Sequence, residues 1–359
     1  MKILILANYD LGLYKFRKEL IEKLLNQGHD VYISLPNGDL VRHFEKIGCH
    51  FIETPIDRRG INPKKDFRLL KAYKRMMKDI NPDLVVTYTI KPNIYGGIAA
   101  RQAHKTYGVN ITGLGTAFEK KGLVRTIVVN LYKYALKKAK VVFFENCGNR
   151  DELVSFGCCD RGKTVVLNGA GVNTDTYCYL PYPHNEVIKF LFVGRVMKEK
   201  GIDELFDAMK RLNAEGRKCF LDVVGPFEDD YKGKIEELGK TGWLRYYGYQ
   251  EDVKPFIATC DCFVLPSYHE GMANTNLECA SSGRPIITSN IPGCKEAVIE
   301  GSGFLSEPQN VDSLYEVMKK MIETPRASRE VMGQNGRKHI ENVFDKKKVI
   351  EETVKELMA

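Results

Sequence analysis

Short apolar runs separated by small and polar residues set the rhythm of this chain. Lys2–Leu6 is one such run; the polar loop Asn8–Gly12 follows, then apolar positions at helical spacing from Tyr14 to Gln27, with Gly28 as a stop signal. Val31–Leu35 opens a second strand. Lys64–Lys78 alternates basic residues with Phe67, Leu70, Tyr73 and Met77, which predicts a helix with one apolar stripe, and Leu84–Tyr88 is the next strand. Val124–Lys140 reads as a helix with Ile127, Val128, Leu131, Tyr132, Ala135 and Leu136 on its apolar side. Val141–Phe144 and Thr164–Leu167 follow as strands. Between Asn168 and Asn185 the chain is rich in Gly, Asn, Tyr and Pro and loses its period. The pattern restarts with Lys189–Val193, a helix over Ile202–Leu212, and the strands Phe220–Val224, Trp243–Tyr247, Cys262–Leu265 and Pro285–Thr288. Asp312–Glu323 and Lys346–Leu357 read as helices.

This alternation of strand and helix predicts an α/β protein built on doubly wound parallel sheets. A chain of 359 residues exceeds what one core usually organises. The expected division is a domain over residues 1–170, a linker over 171–187, a second domain over 188–343 and a terminal helix over 344–359.

Composition narrows the class. With 43% hydrophobic and 28% charged residues the chain is neither disordered nor fibrous. No apolar run approaches the roughly 20 residues that cross a bilayer, and Lys2–Ala7 is too short for a signal-peptide core, so the reading places the chain in the cytoplasm. Ten cysteines are then expected as reduced thiols; Cys260 with Cys262, and Cys158 beside Cys159, lack a partner pair at metal-site spacing and read as buried side chains. Charge is uneven: residues 1–180 carry 29 Lys and Arg against 17 Asp and Glu, the remainder 25 against 29, or +12 and −4. The basic half suits a polyanionic partner such as anionic lipid, a phosphorylated substrate or nucleic acid, and solvated helix faces would account for it equally.

Candidate chemistry lies where strands run into helices. In such sheets ligands bind beyond the carboxyl ends of the strands, and a helix N-terminus attracts anions. After the strand ending at Val193, Gly194-Arg195-Val196-Met197-Lys198-Glu199-Lys200-Gly201 places two cations, Arg195 and Lys200, before a helix, a setting for a phosphate. After Leu265, Pro266-Ser267-Tyr268-His269-Glu270-Gly271 leads to a second helix carrying Glu278. Paired carboxylates of glycoside hydrolases stand roughly 5–9.5 Å apart, whereas eight residues of helix rise about 12 Å. Glu270 and Glu278 are better spaced to grip two ends of one elongated ligand, with Glu278 in the first turn toward ribose hydroxyls and backbone N–H groups around Asn274, Thr275 and Asn276 toward phosphates. In the first half, Thr89-Ile90-Lys91-Pro92-Asn93-Ile94-Tyr95-Gly96-Gly97 and Asn110-Ile111-Thr112-Gly113-Leu114-Gly115-Thr116-Ala117-Phe118 are loops of the same kind. Gly12 alone is far from a dinucleotide fingerprint.

Gly194-Arg195 with Lys200-Gly201, Gly248-Tyr249 before Asp252-Val253, and Pro266-Ser267-x-x-Glu270-Gly271 with Glu278 together resemble the donor-binding set of retaining family 4 glycosyltransferases. The resemblance implies a GT-B fold: two Rossmann-like domains facing across a cleft, with the last helix crossing back to the first domain. It implies that Arg195 and Lys200 bind the diphosphate of a UDP-sugar, Glu278 the ribose, Glu270 the donor sugar, the backbone at Tyr249 the base, and that Gly12 lies by the phosphates. No cofactor and no metal are implied, and no Asp-x-Asp motif is present. The first-half loops resemble a narrower group that builds capsule, O-antigen and other surface glycans on lipid carriers, which makes Lys91, Thr112 and Gly113 acceptor-side candidates. Where many family members carry a histidine in the third loop, this chain has Thr112.

The reading that follows is a retaining, metal-independent transferase moving an N-acetylhexosamine or hexose from a UDP-sugar to a polyprenyl-diphosphate-linked glycan, peripheral at the inner face of the membrane. The helix Val124–Lys140, basic and amphipathic, is the candidate contact with an anionic bilayer. The rival within enzymes is a GT-B epimerase acting on UDP-N-acetylglucosamine. A basic nucleic-acid-binding protein is the rival outside them, disfavoured because the aromatic residues are scattered rather than set on a stacking platform, so no nucleic acid partner is expected.

Overall fold

Alternate residues of the first strand enter different cores. In the computed structural model, which describes residues 1–57, 60, 62–115, 118 and 122–359, β1 (Lys2–Leu6) sends Ile3 and Ile5 to one apolar cluster and Leu4 and Leu6 to another. That is the two-residue period of a strand covered on both faces. β2 (Asp30–Leu35), β3 (His50–Glu53), β4 (Leu84–Tyr88), β5 (Thr106–Ile111), β6 (Val141–Phe144) and β7 (Thr164–Val166) pair with it in parallel, in the order β3-β2-β1-β4-β5-β6-β7. Between them run α1 (Asp10–Asn26), α2 (Val41–Lys46), α3 (Pro63–Asp79), α4 (Gly97–Gln102), α5 (Leu123–Leu136) and α6 (Cys147–Ser155).

Several boundaries differ from the sequence reading. α1 begins at Asp10, whose charge suits the first turn, so Gly12 is helical rather than part of a loop. Asn110 and Ile111 belong to β5, and the loop after it starts at Thr112; Thr116 and Ala117 lie outside the described residues. Pro92–Gly96 winds as a wide helical turn running directly into α4. α3 buries Leu69, Tyr73, Met76 and Met77, whereas Phe67 is 68% exposed. α5 buries Val129, Tyr132, Ala135 and Leu136 and leaves Ile127 50% exposed. The short elements α2 and β3 were not anticipated, because six and four residues carry too little periodic signal.

The second sheet repeats the design. β8 (Ile188–Val193), β9 (Cys219–Val224), β10 (Leu244–Tyr246), β11 (Cys262–Leu265), β12 (Ile286–Ser289) and β13 (Gly303–Ser306) are parallel, in the order β10-β9-β8-β11-β12-β13. α7 (Ile202–Ala214), α8 (Lys232–Gly239), α9 (Lys254–Thr259), α10 (Asn274–Ser281), α11 (Val311–Glu323) and α12 (Arg326–Val343) accompany it. One cluster including Phe190, Phe192, Phe206 and Phe263, all fully buried, forms its core.

The chain divides into Met1–Ala170 with Lys348–Ala359, and Gly171–Lys347. Residues 171–187, read as a linker, are therefore part of the second unit, and polar side chains fasten them there. Arg284, fully buried, donates to the carbonyls of Leu180 at 3.1 Å and Pro181 at 3.0 Å; the Tyr182 hydroxyl donates to the Asp261 carbonyl at 2.8 Å; Arg326 donates to the Tyr182 carbonyl at 2.9 Å. The last helix, α13 (Lys346–Met358), joins the first unit from Lys348 onward. There Val349, Val354 and Leu357 enter the core that holds Val141 and Phe143, each buried side chain contributing roughly 1.5–3 kcal/mol. The Lys140 ammonium donates to the Leu357 carbonyl at 3.0 Å. Gly108 in β5 makes room, since a Cβ there would lie 2.6 Å from a Leu357 methyl.

Candidate active site

The carboxyl ends of β8, β9 and β10 are joined by backbone hydrogen bonds, Gly194 N–H to Val224 C=O at 2.9 Å and Gly225 N–H to Gly248 C=O at 2.8 Å. Arg195 leaves β8 with its side chain half exposed, and its guanidinium lies 3.5 Å from the Glu228 carboxylate. Lys198–Lys200 is one tight turn, and Gly201 then opens α7 at φ +69°. A Cβ at Gly201 would fall 2.0 Å from the Pro266 carbonyl oxygen, so only glycine lets this loop pack against the loop that follows β11.

That packing brings the two loops into register. The Lys200 ammonium is bonded to the Glu270 carboxylate, which also accepts from the Ser267 hydroxyl at 2.8 Å. Tyr268 between them donates its hydroxyl to Glu204 at 2.6 Å and its N–H to the Glu199 carbonyl at 2.9 Å. Burial and the neighbouring Glu204 raise the Tyr268 pKa, keeping this donor protonated. The Lys200 and Glu270 side chains are 17% and 12% exposed, shielded enough for their charges to act strongly on a ligand.

α10 starts without a side-chain cap. Its Ala273 N–H is bonded to the Gly293 carbonyl at 2.7 Å, and the Asn276 N–H returns to the Ala273 carbonyl at 2.9 Å. The Asn276 side chain is fully buried, its amide donating to Thr288 at 3.0 Å, so it secures the helix from beneath, while its N–H, the group expected toward a phosphate, is bonded to the Ala273 carbonyl. Asn274 and Thr275 are left as the leading N–H groups at the positive end of the helix. Glu278 sits one turn further along rather than in the first turn and is part-buried, and burial together with the Glu278 charge raises the pKa of the Tyr177 phenol. Tyr249 follows Gly248 and is 54% exposed. The arrangement offers cations and N–H donors for a diphosphate and a carboxylate on either side for hydroxyl groups.

The first unit holds the other candidates. Gly12 lies in the first turn of α1. Lys91 donates to Asp66 at 2.6 Å and to the Gly60 carbonyl at 2.8 Å, with both charged side chains 14% exposed, which makes it a strut between α3 and the turn after β4. Thr112 and Gly113 follow β5, with Gly113 at φ +146°. The chain reading missed Glu228, Tyr268 and Tyr177. The Glu278 charge acts on Tyr177 across about a hundred residues of sequence, a separation at which no local pattern gives a signal.

Among the described residues no group of three or more His, Cys, Asp or Glu is placed to hold a metal ion, and no helix is long and apolar enough to cross a membrane. Cys260 and Cys262 are fully buried, and burial pushes the Cys260 thiol up to about 12. Cys158 is buried too, and Cys159 partly so.

Comparison with known proteins bears on the family and the fold. A family profile described as Glycosyl transferases group 1 matches residues 183–339, and one described as Glycosyl transferase 4-like matches residues 2–146. The chain is 26% identical over 344 residues to an N,N'-diacetylbacillosaminyl-diphospho-undecaprenol alpha-1,3-N-acetylgalactosaminyltransferase of Campylobacter jejuni, covering 90% of each. It is 27% identical over 356 residues to a UDP-Gal:alpha-D-GlcNAc-diphosphoundecaprenol alpha-1,3-galactosyltransferase of Escherichia coli, covering 93% of this chain and 90% of the relative. The crystal structure of Anabaena HepE in complex with UDP-glucose superposes with a TM-score of 0.79 over 99% of both chains at 19% identity. The fold is that of GT-B structures, as the motifs led us to expect.

Proposed function

We propose, for a chain that belongs to the glycosyl transferases, group 1 over its second half and 4-like over its first, that it transfers a hexose or N-acetylhexosamine from a UDP-sugar to a polyprenyl-diphosphate-linked glycan. The observation that carries the proposal is that the loop after β8, with Arg195 and Lys200, and the loop after the neighbouring strand β11, which leads into α10 and Glu278, are joined by the Lys200–Glu270 bond. A nucleoside diphosphate needs that set of groups. Its phosphates take the Asn274 and Thr275 N–H groups and the two cations, its ribose hydroxyls take Glu278, and its base lies along the backbone at Tyr249. The two relatives named above act, by their names, on undecaprenyl-diphosphate-linked sugars, which supports the acceptor class.

The transfer is proposed to be retaining and metal-independent. Negative charge grows on the departing diphosphate, and Arg195 and Lys200 neutralise it where a metal would otherwise be needed. Glu270 holds the hydroxyls of the donor sugar. The acceptor hydroxyl then attacks the anomeric carbon on the face the diphosphate leaves, and the leaving phosphate oxygen takes its proton. No protein base is required, which accords with Thr112 standing where relatives of this kind often carry histidine. The alpha linkage in both relatives' names is the one that retention from an alpha-linked UDP-sugar would give, which supports the reading. Lys91, Thr112 and Gly113 are proposed on the acceptor side.

Peripheral attachment to an anionic membrane surface is part of the reading. Leu123 is 77% exposed and Ile127 50% exposed on α5, with Lys133, Lys137 and Lys138 exposed toward and just past its end. The deciding experiment is a screen of nucleotide sugars by thermal shift and mass spectrometry. Stabilisation by UDP and UDP-hexoses without divalent metal is expected; a donor isomerised without any acceptor would instead favour the epimerase.

A further inference from the structure

Asp203 and Glu204, consecutive in the first turn of α7, each accept a hydrogen bond from a phenol, and the two phenols belong to different loops. Tyr231, just ahead of α8, donates to Asp203 at 2.6 Å. Tyr268, in the loop after β11, donates to Glu204 at 2.6 Å. Because β9 and β11 flank β8 in the sheet, the start of α7, and with it the loop that carries Arg195 and Lys200, is latched to the loop on either hand. Only the second latch adjoins the ion pair. The Tyr268 N–H is bonded to the Glu199 carbonyl at 2.9 Å, so the residue two before Glu270 is pinned through its backbone to the residue just before Lys200, and through its ring to α7.

We infer that Tyr268 is a positioning residue for the donor sugar: its hydroxyl, held by Glu204, fixes the loop after β11 against the loop after β8 and so sets where Glu270 stands. A loop held in its binding conformation before the ligand arrives spares binding the cost of ordering it. A phenol bonded to a carboxylate suits that task, since a charge-assisted bond is about twice as strong as a neutral one. Burial and the bond to Glu204 raise the Tyr268 pKa, so the phenol remains a donor throughout the working range. Tyr231 supplies the internal control. Burial and the bond to Asp203 raise its pKa likewise, and its hydroxyl makes the same kind of bond to α7 from the side away from Glu270.

The inference rests on Glu270 meeting the donor sugar, and the test separates the two. Calorimetry is run with UDP and with the UDP derivatives of glucose, galactose and their N-acetylated amino sugars. The readout is the ratio of UDP-sugar to UDP affinity, which cancels whatever a variant does to the diphosphate site. Glu270→Ala and Tyr268→Phe are each expected to lower that ratio by about 3- to 10-fold, and Tyr268→Phe to cost nothing further once Glu270 is alanine. Glu204→Ala, which removes the acceptor instead of the donor, is expected to repeat the effect, and Tyr231→Phe to leave the ratio as in wild type. If wild type binds none of the UDP-sugars, or Glu270→Ala leaves the ratio unchanged, the assignment of Glu270 fails and this inference with it. If Glu270→Ala lowers the ratio but either Tyr268→Phe or Glu204→Ala does not, or Tyr231→Phe lowers it as far, the positioning role is overturned and the Glu270 assignment stands.

Discussion

The ammonium of Lys200 and the carboxylate of Glu270, 70 residues apart in sequence, are hydrogen-bonded to each other beside the start of α10. The two groups assigned to opposite ends of the scissile bond, leaving diphosphate and donor sugar, thus share one short link. Lys200→Ala removes the cation proposed for the leaving group and leaves Glu270 with the Ser267 hydroxyl but no cation from Lys200. The expected loss in kcat is about 10²- to 10³-fold, the scale for one preorganised electrostatic contact in a transition state. Glu270→Gln keeps the Ser267 contact possible and should raise KM for the donor sugar more than it lowers UDP affinity. Steady-state kinetics alongside UDP calorimetry distinguish the two; similar losses of UDP affinity in both variants would count against the division of roles.

Arg195 and Glu278 should separate chemistry from binding. Arg195 is half exposed beside Glu228, and Arg195→Ala is expected to retain most UDP affinity while turnover falls at least tenfold. Glu278→Ala is expected to weaken UDP binding by about tenfold, the worth of a charged hydrogen bond. Both titrations give the same constants with chelator as with magnesium on the metal-independent reading. A UDP affinity that appears only with magnesium would sink it.

Gly201 tests how tightly the two site loops depend on each other. Alanine there adopts φ +69° at a cost of about 1–2 kcal/mol, and its methyl would meet the Pro266 carbonyl, forcing the loop that carries Ser267 and Glu270 to move. Gly201→Ala is therefore expected to lower Tm and weaken UDP binding together. Intact UDP affinity in a destabilised variant would mean that the loops move independently.

The legible part of this protein was its period. β4 and β11 were bounded correctly from apolar runs alone, and Arg195, Lys200 and Glu270 were singled out because they stand in loops that follow strands, where the fold places ligands, and Glu278 because it lies on the helix that comes next. What escaped was long-range or aperiodic. Phe67 was put on the buried stripe of α3, but the sheet takes Leu69 and Met76, since a stripe read from sequence does not say how far the helix is rotated about its axis. Residues 171–187 looked like a linker because their attachments are made to Asp261, Arg284 and Arg326, far along the chain. The Asn276 N–H was grouped with those of Asn274 and Thr275 because the sequence does not show that it turns back to the Ala273 carbonyl.

The exposed apolar residues of α5 give the membrane reading a direct test. Val129, Tyr132, Ala135 and Leu136 already serve the core, so Leu123 and Ile127 can be changed without touching it. The protein is expected to sediment with anionic vesicles at low salt, to release as ionic strength shortens the Debye length from about 30 Å at 0.01 M, and to lose the interaction in Leu123→Asp with Ile127→Asp. UDP affinity should be unchanged in that double variant. Recovery of wild type in the supernatant at low salt would remove the membrane from the proposal.

Arg284 is the residue on which the second unit is expected to depend most. It is fully buried and donates to the carbonyls of Ile257 at 2.8 Å, Ala258 at 3.1 Å, Leu180 at 3.1 Å and Pro181 at 3.0 Å, joining the end of α9 to the 171–187 segment. Its planar fork serves these acceptors at once, which an ammonium with three donors on one nitrogen does not. Arg284→Met fills much of the volume but leaves buried carbonyls without donors, at about 1–3 kcal/mol for each that water fails to reach. A loss of several kcal/mol should lower the Tm of a unit this size by roughly 10 °C or more. Arg284→Lys should recover only part of that loss, because it restores the charge and not the geometry. Thermal unfolding followed by circular dichroism decides between them: Arg284→Lys behaving like wild type would show that charge, rather than the fork, secures the segment carrying Tyr177.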